Sequence, residues 1–89
     1  MKEKYEHVSE MLKALAHPAR LKIVVGLLKD ECNVAQIQKA LGLPQSTISQ
    51  HLKTLKNAGI IKGRREGSKT CYRVIDVQVR KILEVIKRK

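Results

Sequence analysis

The stretch Pro44-Gln-Ser-Thr-Ile-Ser-Gln-His-Leu-Lys-Thr-Leu-Lys-Asn-Ala-Gly59 decides how the rest of this sequence is read. Its spacing predicts a helix that opens just after Pro44 and stops at Gly59. Proline is tolerated in a first helical turn, where its missing N–H would have no partner. Glycine just past the last apolar residue stops a helix because it takes the left-handed conformation without a Cβ clash. Ile48, Leu52 and Leu55 fall within about 60° of one another at roughly 100° per residue. Ser46, Ser49, Gln50, Lys53 and Asn57 fall on the opposite side. Short hydrogen-bonding side chains suit base edges, and lysines suit phosphates. A merely solvated helix face would read the same way, so the flanking sequence has to decide.

Upstream, residues 4–16 read as a first helix, with Val8, Met11, Leu12 and Leu15 at helical spacing. His17-Pro18 breaks it, because a residue before proline is pushed out of the helical region. A second helix runs from Pro18 to about Lys29; it is apolar nearly all round, which suits the buried centre of a domain, although Arg20 and Lys22 lie among its apolar residues. Residues 30–33 form a short connection that could be extended. Val34 to Leu41 is a third, short helix with Val34, Ile37, Ala40 and Leu41 inward, and Gly42-Leu43 turns tightly into the opening helix. Two helices joined by a turn with glycine, the second carrying a polar outer face, make residues 34–58 a helix-turn-helix.

Downstream the period changes. Ile60 to Arg65 and Lys69 to Ile75 read as two strands around Glu66-Gly67-Ser68, a β-hairpin over residues 60–75. Its tip carries Arg64, Arg65 and Lys69 against the single acid Glu66. Asp76 is a good N-cap for a last helix, 77–88, in which Val79, Ile82, Leu83 and Ile86 share one face. Lys87-Arg88-Lys89 favours the negative end of that helix's dipole, or frays into solvent. The fold class is therefore mainly α with a small β-hairpin. It is a winged helix-turn-helix of five helices and a two- or three-stranded wing sheet, with residues 1–89 as one domain.

Eighty-nine residues with only Tyr5 and Tyr72 as aromatics must build a thin core from Leu, Ile, Val and Ala. A net charge of +11, from 19 Lys and Arg against 8 Asp and Glu, points to a polyanionic partner: nucleic acid or an anionic membrane surface. The charged N-terminus has no apolar run long enough for a signal peptide or a membrane span, which makes the expected location cytoplasmic. Cys32 and Cys71 are too few for a disulfide scaffold, and reduced thiols are the default in that compartment.

Four motifs together resemble the ArsR/SmtB family of bacterial winged-helix repressors: Leu15-Ala-His-Pro-Ala-Arg-Leu-Lys-Ile23, Leu43-Pro-Gln-Ser-Thr-Ile-Ser-Gln-His-Leu52, Arg64-Arg-Glu-Gly67 and Cys71-Tyr-Arg-Val74. The resemblance implies a homodimer formed by the first and last helices (4–16 and 77–88), whose repression of a double-stranded DNA operator is relieved by an effector. It also implies base reading by Gln45, Ser46, Ser49 and Gln50 and backbone contacts from Arg64, Arg65 and Lys69. Helix geometry agrees for Ser46, Ser49 and Gln50, while Gln45 sits towards the edge of the polar face, where a phosphate contact is equally open. His51 lies beside Ile48 and Leu55, which suits a packed histidine bonded to backbone as well as a base contact. With Thr47, Lys53 and Lys56, these residues make the candidate DNA-contacting set. A dimer of such helices would meet an inverted repeat with half-sites roughly 34 Å apart.

The metal patterns of that family are not matched. Where some members have Cys-x-Cys, this chain reads Cys32-Asn33-Val34-Ala35, and its last helix has Asp76 and Glu84 but no histidine. A tetrahedral site needs about four clustered ligands, so no metal and no other cofactor is expected. In a winged helix the short strand before the third helix usually pairs with the second wing strand, which would bring Cys32 and Cys71 to neighbouring strands. A disulfide or sulfur bridge there would act as a thiol switch. Against it, strand alternation would point Cys71 away from an inward Thr70, Tyr72 and Val74, and small buried cysteines are commonly inert. Both readings stay open. An alternative function is a winged helix for RNA or protein interaction. No glycine-rich phosphate loop or nucleophile–base–acid set suggests an enzyme.

Overall fold

The computed structural model describes residues 3–87. The order is α1 (Lys4–Leu15), α2 (Pro18–Lys29), α3 (Val34–Leu41), α4 (Gln45–Asn57), β1 (Ile61–Glu66), β2 (Lys69–Val74) and α5 (Val77–Lys87). Five helices and an antiparallel hairpin make a winged helix-turn-helix, as the patterning requires. The expected extension of the last helix to Arg88, and the terminal Lys89, lie outside the described residues.

Local chemistry explains the boundaries. His17 caps α2 by accepting the Ala19 N–H at 3.1 Å on its Nδ1, so the residue that breaks the first helix starts the second. Gly42 ends α3 at φ 66° and Gly59 follows α4 at φ 75°, both left-handed positions where a Cβ would be strained. Asp76 accepts the N–H groups of Gln78 and Val79 at 2.9 and 3.2 Å, capping α5.

The core gathers one side of every helix. Ile23, Val24 and Leu27 of α2 meet Ile48, Leu52 and Leu55 of α4, with Met11 and Leu15 of α1, Val79 and Leu83 of α5, and Ile60, Ile61 and Val74 at the hairpin's base. Burying each such aliphatic side chain is worth roughly 1.5–3 kcal/mol against exposure. α4 is thus anchored along its whole inner stripe. Ala40, expected inward, is exposed: α3 is so short that only Ile37 reaches the core fully.

Of the two or three strands expected in the wing sheet, two form, because residues 30–33 run through a turn; a backbone bond, Tyr72 N–H to Glu31 O at 2.8 Å, ties that turn to β2. Two other expectations are corrected. Ile60 and Ile75 lie just outside the strands, although Ile75 N–H still bonds Ile60 O at 2.9 Å. Cys71 does not point away from the core. It is fully buried and bonded to Cys32 in a disulfide, with the two Cα atoms 4.2 Å apart. The turn at Glu31 presents Cys32 to the face of β2 that carries Cys71, so strand alternation is no obstacle; the thiols expected to be reduced are joined.

Candidate nucleic-acid interface

Packing of Ile48, Leu52 and Leu55 forces the opposite face of α4 outward. Gln45, Ser46, Ser49, Gln50, Lys53 and Lys56 are exposed, while Thr47 and His51 are half-buried at the margins. Gln45 and Ser49 share a cleft of about 270 Å³ with Lys69 and Thr70 of the hairpin, and Cys32 lines its wall. A second cleft runs from Ser49 past Lys53 and Lys56 to Tyr72. The wing therefore continues the polar surface of α4.

The hairpin register divides the two wing arginines. Arg64 pairs with Cys71 and Arg65 with Thr70, and cross-strand partners share a face of the sheet. Arg65 thus shares the Thr70 and Tyr72 side, next to α4. Gly63 leaves room there: a Cβ would stand 3.0 Å from the Tyr72 ring. Arg64 is on the other side, where its Nη1 donates to Glu31 at 2.6 Å and its Nε to Glu66 at 3.3 Å. The hydrogen bond to Glu31 raises the guanidinium pKa further above its ordinary value. Arg65 and Lys69 are exposed. Glu31 was missed in the sequence because nothing local predicts that a turn residue will meet a wing residue 33 positions away.

His51 contacts side chains, not backbone. Its Nδ1 lies 3.4 Å from Arg20 Nη1, and its ring is tilted against that of His17 with centroids 4.6 Å apart. Burial, then His17 and Arg20, push its pKa below the ordinary 6.5. Arg20 also donates through Nε to Ala14 O at 2.6 Å. In the sequence Arg20 stood out only as a cation on an apolar helix.

Among the described residues, no three His, Cys, Asp or Glu side chains are grouped so as to hold a metal ion, and no helix is long and apolar enough to cross a membrane.

The chain matches the family described as "Bacterial regulatory protein, arsR family" over residues 17–62. It is 41% identical to an uncharacterized HTH-type transcriptional regulator of Methanocaldococcus jannaschii over 94% of this chain and 96% of that protein. It is also 41% identical to the HTH-type transcriptional repressor SmtB of Mycobacterium tuberculosis, over 84% of this chain but only 56% of the repressor's length. Its fold superposes on HlyU from Vibrio cholerae with a TM-score of 0.88 at 32% identity, covering 99% and 96% of the two chains; HlyU is named as a transcriptional activator. With the exposed polar face of α4, the adjoining basic wing and these relatives together, the chain belongs to the ArsR family and is a winged-helix, DNA-binding transcriptional regulator.

Proposed function

We propose that the protein is a cytoplasmic, homodimeric repressor that binds an inverted-repeat operator and answers to thiol oxidation. The observation that carries the reading is the continuous surface formed by the outer face of α4 and the wing. Ser46, Ser49 and Gln50 would read bases in the major groove, with Gln45 and Thr47 at the edge; Lys53, Lys56, Arg65 and Lys69 would hold phosphates. Arg64 would join them only by leaving Glu31.

Dimerisation through α1 and α5 is supported by apolar side chains that one chain leaves uncovered. Leu12, Val77, Val85 and Ile86 are 46%, 62%, 67% and 55% exposed. A symmetric pair of α4 helices would then meet a symmetric site.

The Cys32–Cys71 disulfide supports the redox reading, because in the cytoplasm disulfides are chiefly transient and regulatory. Its formation takes two electrons and two protons from the paired thiols, delivered to a two-electron oxidant such as a peroxide or a small disulfide. It joins the connection before α3 to the wing, so reduction would free one side of the DNA-facing cleft.

Selection from random DNA duplexes, run on oxidised and reduced protein with Cys32→Ser and Cys71→Ser as controls, tests both parts. The expected outcome is an inverted repeat whose affinity differs between the two forms and is redox-insensitive in both variants. Enrichment of no duplex, with preference for RNA, would overturn the operator reading; equal affinity of both redox forms would overturn the switch.

A further inference from the structure

We propose that His17, Arg20 and His51 form a positioning cluster that sets the pose of the recognition helix, and that it holds α4 in its DNA-reading pose only while both imidazoles are neutral. The proposal rests on the reading of α4 as the recognition helix.

The cluster lies where the N-terminus of α2 meets the middle of α4. Arginine only donates hydrogen bonds, so a His51 Nδ1 at 3.4 Å from Arg20 Nη1 must be the acceptor, with its proton on Nε2. The His17 Nδ1 likewise accepts, from Ala19 N–H, which places its proton on Nε2 as well. In this geometry each ring accepts on Nδ1, a role that a doubly protonated imidazolium cannot fill. Arg20 is itself fixed by its bond to Ala14 O at the end of α1, so three elements converge on the contact.

Protonating either Nδ1 destroys the acceptor it supplies. An imidazolium at His17 also removes the cap of α2, and one at His51 stands against Arg20. The charged groups facing the cluster are Arg20 and His17 from α2 and its cap, with Glu10 and Lys13 of α1 in the cleft that Arg20 lines. His51 is already held below its ordinary pKa by this surrounding. The sign is distinctive. Ordinarily an added positive charge strengthens DNA binding, whereas here acidification weakens specific binding by disordering the helix that reads the bases.

The test uses a duplex selected with the wild-type protein, and a random duplex, titrated from about pH 8 to about pH 5.5. Wild-type affinity for the selected duplex is expected to fall with acid, by up to about tenfold per pH unit for each proton taken up, with little loss on the random duplex. His51→Asn and His17→Asn keep an acceptor near the Nδ1 position but cannot become cationic; each should show a shallower pH profile than wild type, whatever its affinity at neutral pH. Arg20→Met should lose on the order of tenfold specific affinity at neutral pH, as expected for a lost side-chain hydrogen bond to a charged group, with its fold checked by circular dichroism. Imidazole ¹⁵N spectra, which need no DNA, should show Nε2–H tautomers for both histidines. Affinity for the selected duplex that rises on acidification, a His51→Asn profile identical to wild type, or an Nδ1–H tautomer at His51 would each overturn the proposal. Failure to select any duplex would instead overturn the recognition-helix reading and this proposal with it, while the ¹⁵N spectra still report whether the cluster itself is correct.

Discussion

Gln50 and Arg65 both lie exposed on the proposed DNA-facing surface, but their chemistry differs. An amide can pair with a base edge in two places at once, whereas a guanidinium on a wing gains mostly by releasing a counterion. Gln50→Ala should therefore cost about 1–3 kcal/mol on the selected operator and little on random DNA. Arg65→Ala should weaken both and reduce the salt slope by about one. Equal losses for Gln50→Ala on the two DNAs would remove its base-reading role. Arg64 behaves differently because Glu31 holds it. The pair is solvent-exposed and screened by water and salt, so a phosphate can compete for the arginine. Glu31→Gln should release it, strengthening binding to all sequences and steepening the salt dependence by about one, as filter binding across salt concentrations would measure.

The helix-turn-helix owes its angle to close packing of α2 against α3. At Gly26 a Cβ would stand 2.7 Å from Ile37 Cδ1 and 2.9 Å from its Cγ1. Alanine would gain about 1 kcal/mol in helix propensity, but the overpacking it causes costs about 1–3 kcal/mol. Gly26→Ala should thus be neutral to destabilising by about 2 kcal/mol in urea unfolding, and adding Ile37→Val, which deletes the clashing methyl, should recover most of any loss. The elements themselves were legible from spacing. His17-Pro18, Gly42, Gly59 and Asp76 marked ends that the structure places within about a residue, since caps and stops are local chemistry. Of the two or three wing strands the sequence allowed, two form: residues 30–33 run through a turn, in which Asp30 Oδ1 accepts the Cys32 N–H at 2.9 Å.

At the scale of the whole molecule, one chain leaves Ile86 on the rim of an apolar groove of about 430 Å³ between α2, α3 and α5. A second copy lying along α5 would remove Ile86, Val85 and Val77 from water. Ile86→Glu should then shift the protein towards monomer in sedimentation, and lower affinity for a full inverted repeat far more than for a half-site. An unchanged sedimentation mass would argue against α5 as the interface. The disulfide also acts at this scale, because it closes a loop spanning 39 positions of sequence. A loop of that length is worth about 4 kcal/mol in the chain-entropy account, a large share of the stability of a chain this small.

Periodicity and punctuation alone determined five helices, a hairpin and the outward face of α4, because both are written in residues close together along the chain. Charge alone pointed to a polyanion. Only the tertiary structure decided which distant side chains meet: Cys32 with Cys71, Arg64 with Glu31, and His51 with Arg20 and His17. These contacts span 31 to 39 positions and depend on the angle at which packed helices and a turn deliver each side chain, which no local pattern encodes.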